Sequence, residues 1–198
     1  MSGEETQAKG ADGARRAKLF LESTTRATVP WVNPDPIAIP KLTFEWADGG
    51  TYSFDLGGTL LGGELQGLEF FAESKAYTNA NDQGTHYRKF LAQCYRALQL
   101  RPERCDKFFW ITWSPFLVNS WSELRTPEFV QDSVMLHRSR VFSTASESEA
   151  RQALSDQDCK AVAERLGFLF LSDALEELTL TKEHLGVIRK YDTMKEDR

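Results

Sequence analysis

Residues Lys107–Trp113 read KFFWITW, apolar or aromatic at nearly every position. A run this short and this uniformly apolar is the mark of a central strand covered on both faces. The segment before it, Asn79–Leu100, carries Phe90, Leu91, Cys94, Ala97 and Leu98 at i, i+4, i+7 spacing and reads as a helix. Asn79, Asn81 or Asp82 can cap its start, and Pro102 ends it. A helix leading into a buried strand is a crossover, so Lys107–Trp113 is expected to join an existing sheet in parallel.

That sheet must come from upstream. Lys41–Trp46 (KLTFEW) alternates apolar and polar residues, and Ala47-Asp48-Gly49-Gly50 supplies a tight hairpin turn. Thr51–Leu61 is the expected second strand, with mid-strand glycines that mark a bulge or a close approach. The turn around Gly62-Gly63 leads to a third strand, Leu68–Tyr77. Before this meander, Ala14–Thr25 reads as an amphipathic helix. Between them VPWVNPDPIAIP holds four of the seven prolines, which points to an extended connector, neither helix nor sheet interior. Residues 1–13 are polar and Gly-rich and read as a disordered leader.

The expected fold is therefore α/β, a central mixed sheet flanked by helices in the order αβββαβ over residues 14–113. Residues 114–198 add a mixed, mainly helical extension to the same domain. Within it Ser146–Leu154 and Ser155–Leu166 read as helices, Ser155 being a cap for the second. Gly167 stops that helix, FLFLS is a short strand, and Thr181–Arg198 is a charged helix.

Composition sets the setting. No apolar run is long enough to span a bilayer, and the N-terminus lacks a secretory h-region, so a cytoplasmic protein is expected. Cys94, Cys105 and Cys159 are odd in number and lack CxxC spacing, which favours reduced structural thiols. The net charge of −5 argues against strong autonomous binding to nucleic acid.

Charge inside the apolar strands is the chemical signal. Asp55 lies among Tyr52, Phe54 and Leu56, and Glu73 and Lys75 lie two apart on the next strand, hence on one face. Such charges are costly in apolar company unless they pair with one another or with a metal. Carboxylates from two neighbouring strands can hold Mg²⁺ or Mn²⁺. The ion would polarise a phosphodiester and generate the attacking hydroxide, while Lys75 orients the attack and offsets charge in the transition state. A cross-strand ion pair on a solvated sheet face is the plainer alternative.

Asp55, an interval of seventeen residues, and Glu73-Ser74-Lys75, set in this order of elements, resemble the PD-(D/E)xK nuclease superfamily of restriction-endonuclease-like fold. Phe54 stands where many members have proline. Gln83 and Tyr87 form a QxxxY motif similar to that of RecB-like members, and as i, i+4 residues they share a helix face. The resemblance implies a metal-dependent nuclease, acting on DNA ahead of RNA, in DNA processing or genome defence. It implies metal ligation by Asp55 and Glu73, an extra acid from Glu22, and catalytic roles for Lys75, Gln83 and Tyr87. Arg15, Arg16 and Lys18 on the first helix and Arg88 and Lys89 on the later one are the expected phosphate contacts. The acidic balance makes a homodimer, or a subunit of a larger complex, the expected working form. A non-catalytic interaction subunit that keeps the fold as a scaffold is the competing reading.

Overall fold

The computed structural model describes residues 3–76 and 82–196, with side chains described from residue 10 to residue 195. In chain order the elements begin α1 (Gly3–Ser23), β1 (Ala27–Val32), α2 (Ile39–Leu42), β2 (Thr43–Glu45), β3 (Thr51–Ser53), β4 (Leu56–Leu60) and β5 (Glu69–Lys75). There follow α3 (Gln83–Leu100), β6 (Lys107–Thr112), α4 (Pro127–Leu136), α5 (Arg138–Val141), α6 (Glu147–Ala153) and α7 (Asp156–Arg165). The chain closes with β7 (Leu166–Phe170), α8 (Asp173–Glu176) and α9 (Lys182–Glu196).

Five strands form one open mixed sheet in the order β1-β4-β5-β6-β7. β1, β4 and β5 run antiparallel to their neighbours, whereas β5, β6 and β7 are parallel. The KFFWITW run is β6, between β5 and β7. Its Phe108 and Trp110 enter the core beneath α3, α4 and α7, and Ile111 enters the core beneath α1. The pattern that called for cover on both faces is thus met by helices on both. α3 is the crossover that sets β6 parallel to β5, Phe70 beside Lys107 and Lys75 beside Thr112.

Three expectations are corrected. The antiparallel trio does not begin at Lys41. The proline-rich segment supplies its first strand, β1, which contains Pro30. An edge strand needs only one row of hydrogen bonds, so a proline lacking its N–H is tolerated there, and the pairing shifts register between Thr28 and Trp31. Lys41–Trp46 instead gives β2, which pairs only with β3 in a separate two-stranded hairpin whose Phe44 and Tyr52 enter the α3-side core. Lastly, residues 3–13 are helical and continuous with α1. Glu, Gln, Ala and Lys at these positions are good helix formers, and Gly13 lies on β5, where an added Cβ would stand 3.1 Å from the Cβ of Ala76.

The mid-strand glycines act as expected. A Cβ on Gly58 would fall 2.0 Å from the Thr28 carbonyl oxygen, so only glycine lets β1 and β4 close there. Ser146 and Ser155 cap α6 and α7, each accepting a backbone N–H three residues on. β7 begins at Leu166 and runs through Gly167. Asp82 holds the N-cap position of α3 without a side-chain hydrogen bond, and Asn79 and Asn81 lie outside the described residues. Cys94, Cys105 and Cys159 are buried free thiols. Among the described residues no helix is long and apolar enough to cross a membrane.

Candidate active site

Asp55 sits where the chain leaves the β2–β3 hairpin and enters the sheet. Its N–H donates to the Ala72 carbonyl of β5 at 3.0 Å, and its carbonyl accepts from Asn33 at 2.9 Å. Leu56 pairs with Ala72, so one step back along the antiparallel register brings Asp55 opposite Glu73. Glu73 and Lys75 share the α3 face of β5, because Phe71 on the same alternation belongs to the core under that helix. The side chains of Glu73 and Lys75 are only 13% and 16% exposed, and Lys75 Nζ donates to Glu73 Oε1 at 2.6 Å. The sequence-derived trio of Asp55, Glu73 and Lys75 therefore converges.

Its electrostatics are strained in one direction. Burial, then the charge of Glu73, pushes the Asp55 carboxyl up to about 7, against the opposing pull of Lys75 and two hydrogen bonds from Ser74. Glu73 Oε2 is buried and receives no hydrogen bond. Two interacting carboxylates, one oxygen of Glu73 unsatisfied, are the donors at this place that could serve a hard cation, with the Lys75 ammonium beside them. His86, in the first turn of α3, is held below the usual imidazole value by burial and then by the Lys75 charge.

Two residues not singled out from the sequence help build the site. Ser74, on the other face of β5, donates its backbone N–H (2.9 Å) and its hydroxyl (3.3 Å) to Asp55 Oδ2. Thr112, at the end of β6, donates to Gln83 Oε1 at 2.9 Å and lies 3.4 Å from the Lys75 carbonyl. Both are buried hydroxyls inside apolar strands, and that pattern is the signal that could have marked them.

The remaining expected site residues divide. Gln83 is buried beside Thr112, and its Nε2 has no hydrogen-bond partner. Tyr87 is committed to the core. It packs on Trp110, Phe116 and Phe168, and its hydroxyl donates to the Leu124 carbonyl at 2.7 Å. Its place on a common helix face with Gln83 therefore serves packing.

Glu22 does not join the pair. It lies nine residues beyond Gly13, the point where α1 meets Ser74 and Ala76, and this is roughly 13 Å along the helix. There it accepts from the Val29 N–H at 3.3 Å and faces Lys18 Nζ at 3.8 Å. Among the described residues no group of three or more His, Cys, Asp or Glu could hold a metal ion.

Three of the five expected phosphate contacts are engaged within the chain. Arg16 grips the Glu176 carboxylate (2.6 and 2.8 Å), reaches Asp173 at 2.6 Å and stacks over Trp113. Lys18 donates to the Val29 carbonyl at 2.7 Å. Arg88 lies 4.1 Å over the Phe129 ring. Arg15 is exposed with a 3.7 Å contact to Asp12, and Lys89 is exposed.

No protein-family model matches the chain, and no curated protein matches it. A solved Moraxella osloensis Cap4 SAVED/CARF-domain containing receptor aligns with 96% of this chain and 42% of its own length, at 10% identity and a TM-score of 0.39. This chain thus spans less than half of that receptor.

Proposed function

We propose that this chain is a metal-dependent nuclease of restriction-endonuclease-like fold, hydrolysing phosphodiester bonds, with DNA as substrate. The observation that carries the reading is the buried Asp55–Glu73 pair, with one orphaned oxygen and Lys75 bonded beside it. The αβββαβ order supports it as well. The trio β1, β4, β5 is antiparallel, and β6 follows in parallel through α3, so Glu73 and Lys75 lie toward the carboxyl end of β5, with Asp55 beside them just before β4.

The donor set fits a hard divalent cation such as Mg²⁺ or Mn²⁺, held by Asp55 and Glu73. Bound there, such an ion would polarise the phosphodiester and make a bound water acidic enough to attack. Ser74 fixes the Asp55 carboxylate in the site. Glu73 holds Lys75 with one oxygen and leaves the other open. Lys75 carries the positive charge that offsets the growing negative charge on the phosphate. His86 and Gln83 border the pair from the start of α3, and Arg15 and Lys89 remain for backbone phosphates. The net charge of −5 weakens substrate binding by the chain alone, which supports action as a dimer or within a larger complex.

The test is cleavage of single- and double-stranded DNA and of RNA with Mg²⁺ or Mn²⁺, comparing wild type, Asp55→Asn and Lys75→Ala. Cleavage that needs the ion and is lost in both variants supports the proposal. Equal behaviour of wild type and Lys75→Ala overturns it, and preference for RNA changes the substrate.

A further inference from the structure

The α1 face of the sheet is not fully covered. Between the last turns of α1, the start of β1, the end of β4, and the starts of β6 and β7 lies a cavity of about 400 Å³. That volume falls within the range of small-molecule sites. Phe20, Leu60, Leu65, Phe109 and Leu169 give it an apolar lining. Gly167 admits the Phe109 ring, which an added Cβ would meet at 2.6 Å.

This place is separate from the acids. Lys107 at its rim pairs with Phe70, whereas Thr112 pairs with Lys75, so five residues of strand, roughly 16 Å, separate the two levels. The two also lie on opposite faces of the sheet, since Phe109 belongs with the α1-side core and Phe71 with the α3-side core.

The rim is cationic. Arg26, Lys107 and Arg165 all border the cavity. Among the described residues none of the three makes a side-chain hydrogen bond or an ion pair, although the chain has 29 acidic residues, and other cations, Arg16, Lys18 and Arg104, do find carboxylates. Arg165 Nη1 is buried with no partner, a condition that proteins generally relieve with an anion or a hydrogen bond. Three unneutralised cations around an apolar hollow complement a molecule with an apolar body and an anionic head.

We infer that this cavity binds a small amphipathic anion, a medium-chain alkyl carboxylate being its simplest form. The alkyl body lies against Phe109 and Leu169, and the head lies among Arg26, Lys107 and Arg165. This site does not depend on the nuclease reading, and ligand binding here is measurable without any cleavage assay.

Calorimetric titration of the full chain with decanoate, octanoate, decanol and acetate provides the test, decanoate being kept below its micellar concentration. Decanoate should bind saturably at one site, and acetate should not bind. Octanoate, two methylenes shorter, should bind about fifteenfold more weakly, since each buried methylene is worth about fourfold in affinity. Decanol, with the same chain and no charge, should bind at least tenfold more weakly than decanoate. Lys107→Gln/Arg165→Gln should weaken decanoate by tenfold or more and leave decanol unchanged. Arg26→Gln, at an exposed position, repeats the test should the double variant fold poorly. Equal affinity for decanol and decanoate, indifference of decanoate to these variants, or no saturable binding would overturn the proposal. So would a concentration-dependent dimer in sedimentation velocity that the same variants dissociate, because a second copy of the chain would then be the occupant.

Discussion

Ser74 holds Asp55 twice, its N–H at 2.9 Å and its hydroxyl at 3.3 Å both reaching Oδ2. Both bonds favour the ionised carboxylate, yet burial and the adjacent Glu73 outweigh them and leave Asp55 at about 7. The site is therefore assembled against its own electrostatics, a perturbation of the kind that clusters at functional sites.

The first prediction concerns stability and pH. An acid raised in the fold keeps a proton that the unfolded chain loses above about pH 4. Between there and pH 7 the folded state binds more protons, so stability falls as pH rises through that window and levels off above it. Asp55→Asn removes this loss. Urea unfolding of both proteins at pH 4, 5, 6 and 7.5 should show the variant gaining on wild type, by a few kcal/mol at most. A gap that stays constant across the series would contradict the raised value.

A second expectation follows for cation binding. Below pH 7 a proton on the Asp55–Glu73 pair competes with Mn²⁺, so affinity should climb up to tenfold per pH unit between 5.5 and 7 and then flatten. Titrations in buffers of different ionisation enthalpy should register up to one proton released per ion. Glu73→Gln should abolish the binding, and retention of full affinity by that variant would remove Glu73 from the ion's shell.

Much of this geometry was legible in the sequence, for identifiable reasons. Strong local patterns translated directly: the unbroken apolar run of β6, the helical stripe of α3, and the Glu73–Lys75 spacing that puts two charges on one strand face. Where the reading failed, the deciding term was long-range. Pro30 argues against a strand locally, and only the edge position of β1 makes one acceptable. Glu22 was placed by analogy of order along the chain, whereas its position along α1 is set by where Gly13 packs. Arg16 reads as a free cation until the chain returns, 160 residues later, with Glu176.

Tyr87 provides a third test, because the motif and the packing assign it opposite roles. Its hydroxyl donates to the Leu124 carbonyl, deep under α4. Tyr87→Phe should cost about 1–3 kcal/mol by leaving that carbonyl unsatisfied and leave the cleavage rate per folded molecule unchanged. Chemical denaturation measures the first, and single-turnover kinetics the second. A large loss of rate at full occupancy of the fold would return Tyr87 to the site.

The last prediction is drawn from the clasp at the end of β6. Glu176 accepts from Arg16 and from the Trp113 indole N–H. Burial works to raise its pKa, but these bonds together hold it below the ordinary carboxylate value. Arg16 is in turn raised, chiefly by its hydrogen bond to Glu176. The clasp ties α8 to α1 and neutralises a cation that a phosphate could otherwise use. A double-mutant cycle over Arg16→Gln and Glu176→Gln should give a coupling of about 0.5–3 kcal/mol in stability. In an Asp55→Asn background, chosen to prevent cleavage, Glu176→Gln/Asp173→Asn, which frees Arg16 of both carboxylates, should tighten DNA binding. It should also steepen the dependence of log affinity on log salt by about one unit, the signature of one added phosphate contact. Adding Arg16→Gln should cancel both gains. A Glu176→Gln/Asp173→Asn variant that binds DNA with unchanged affinity and slope would make the clasp purely structural.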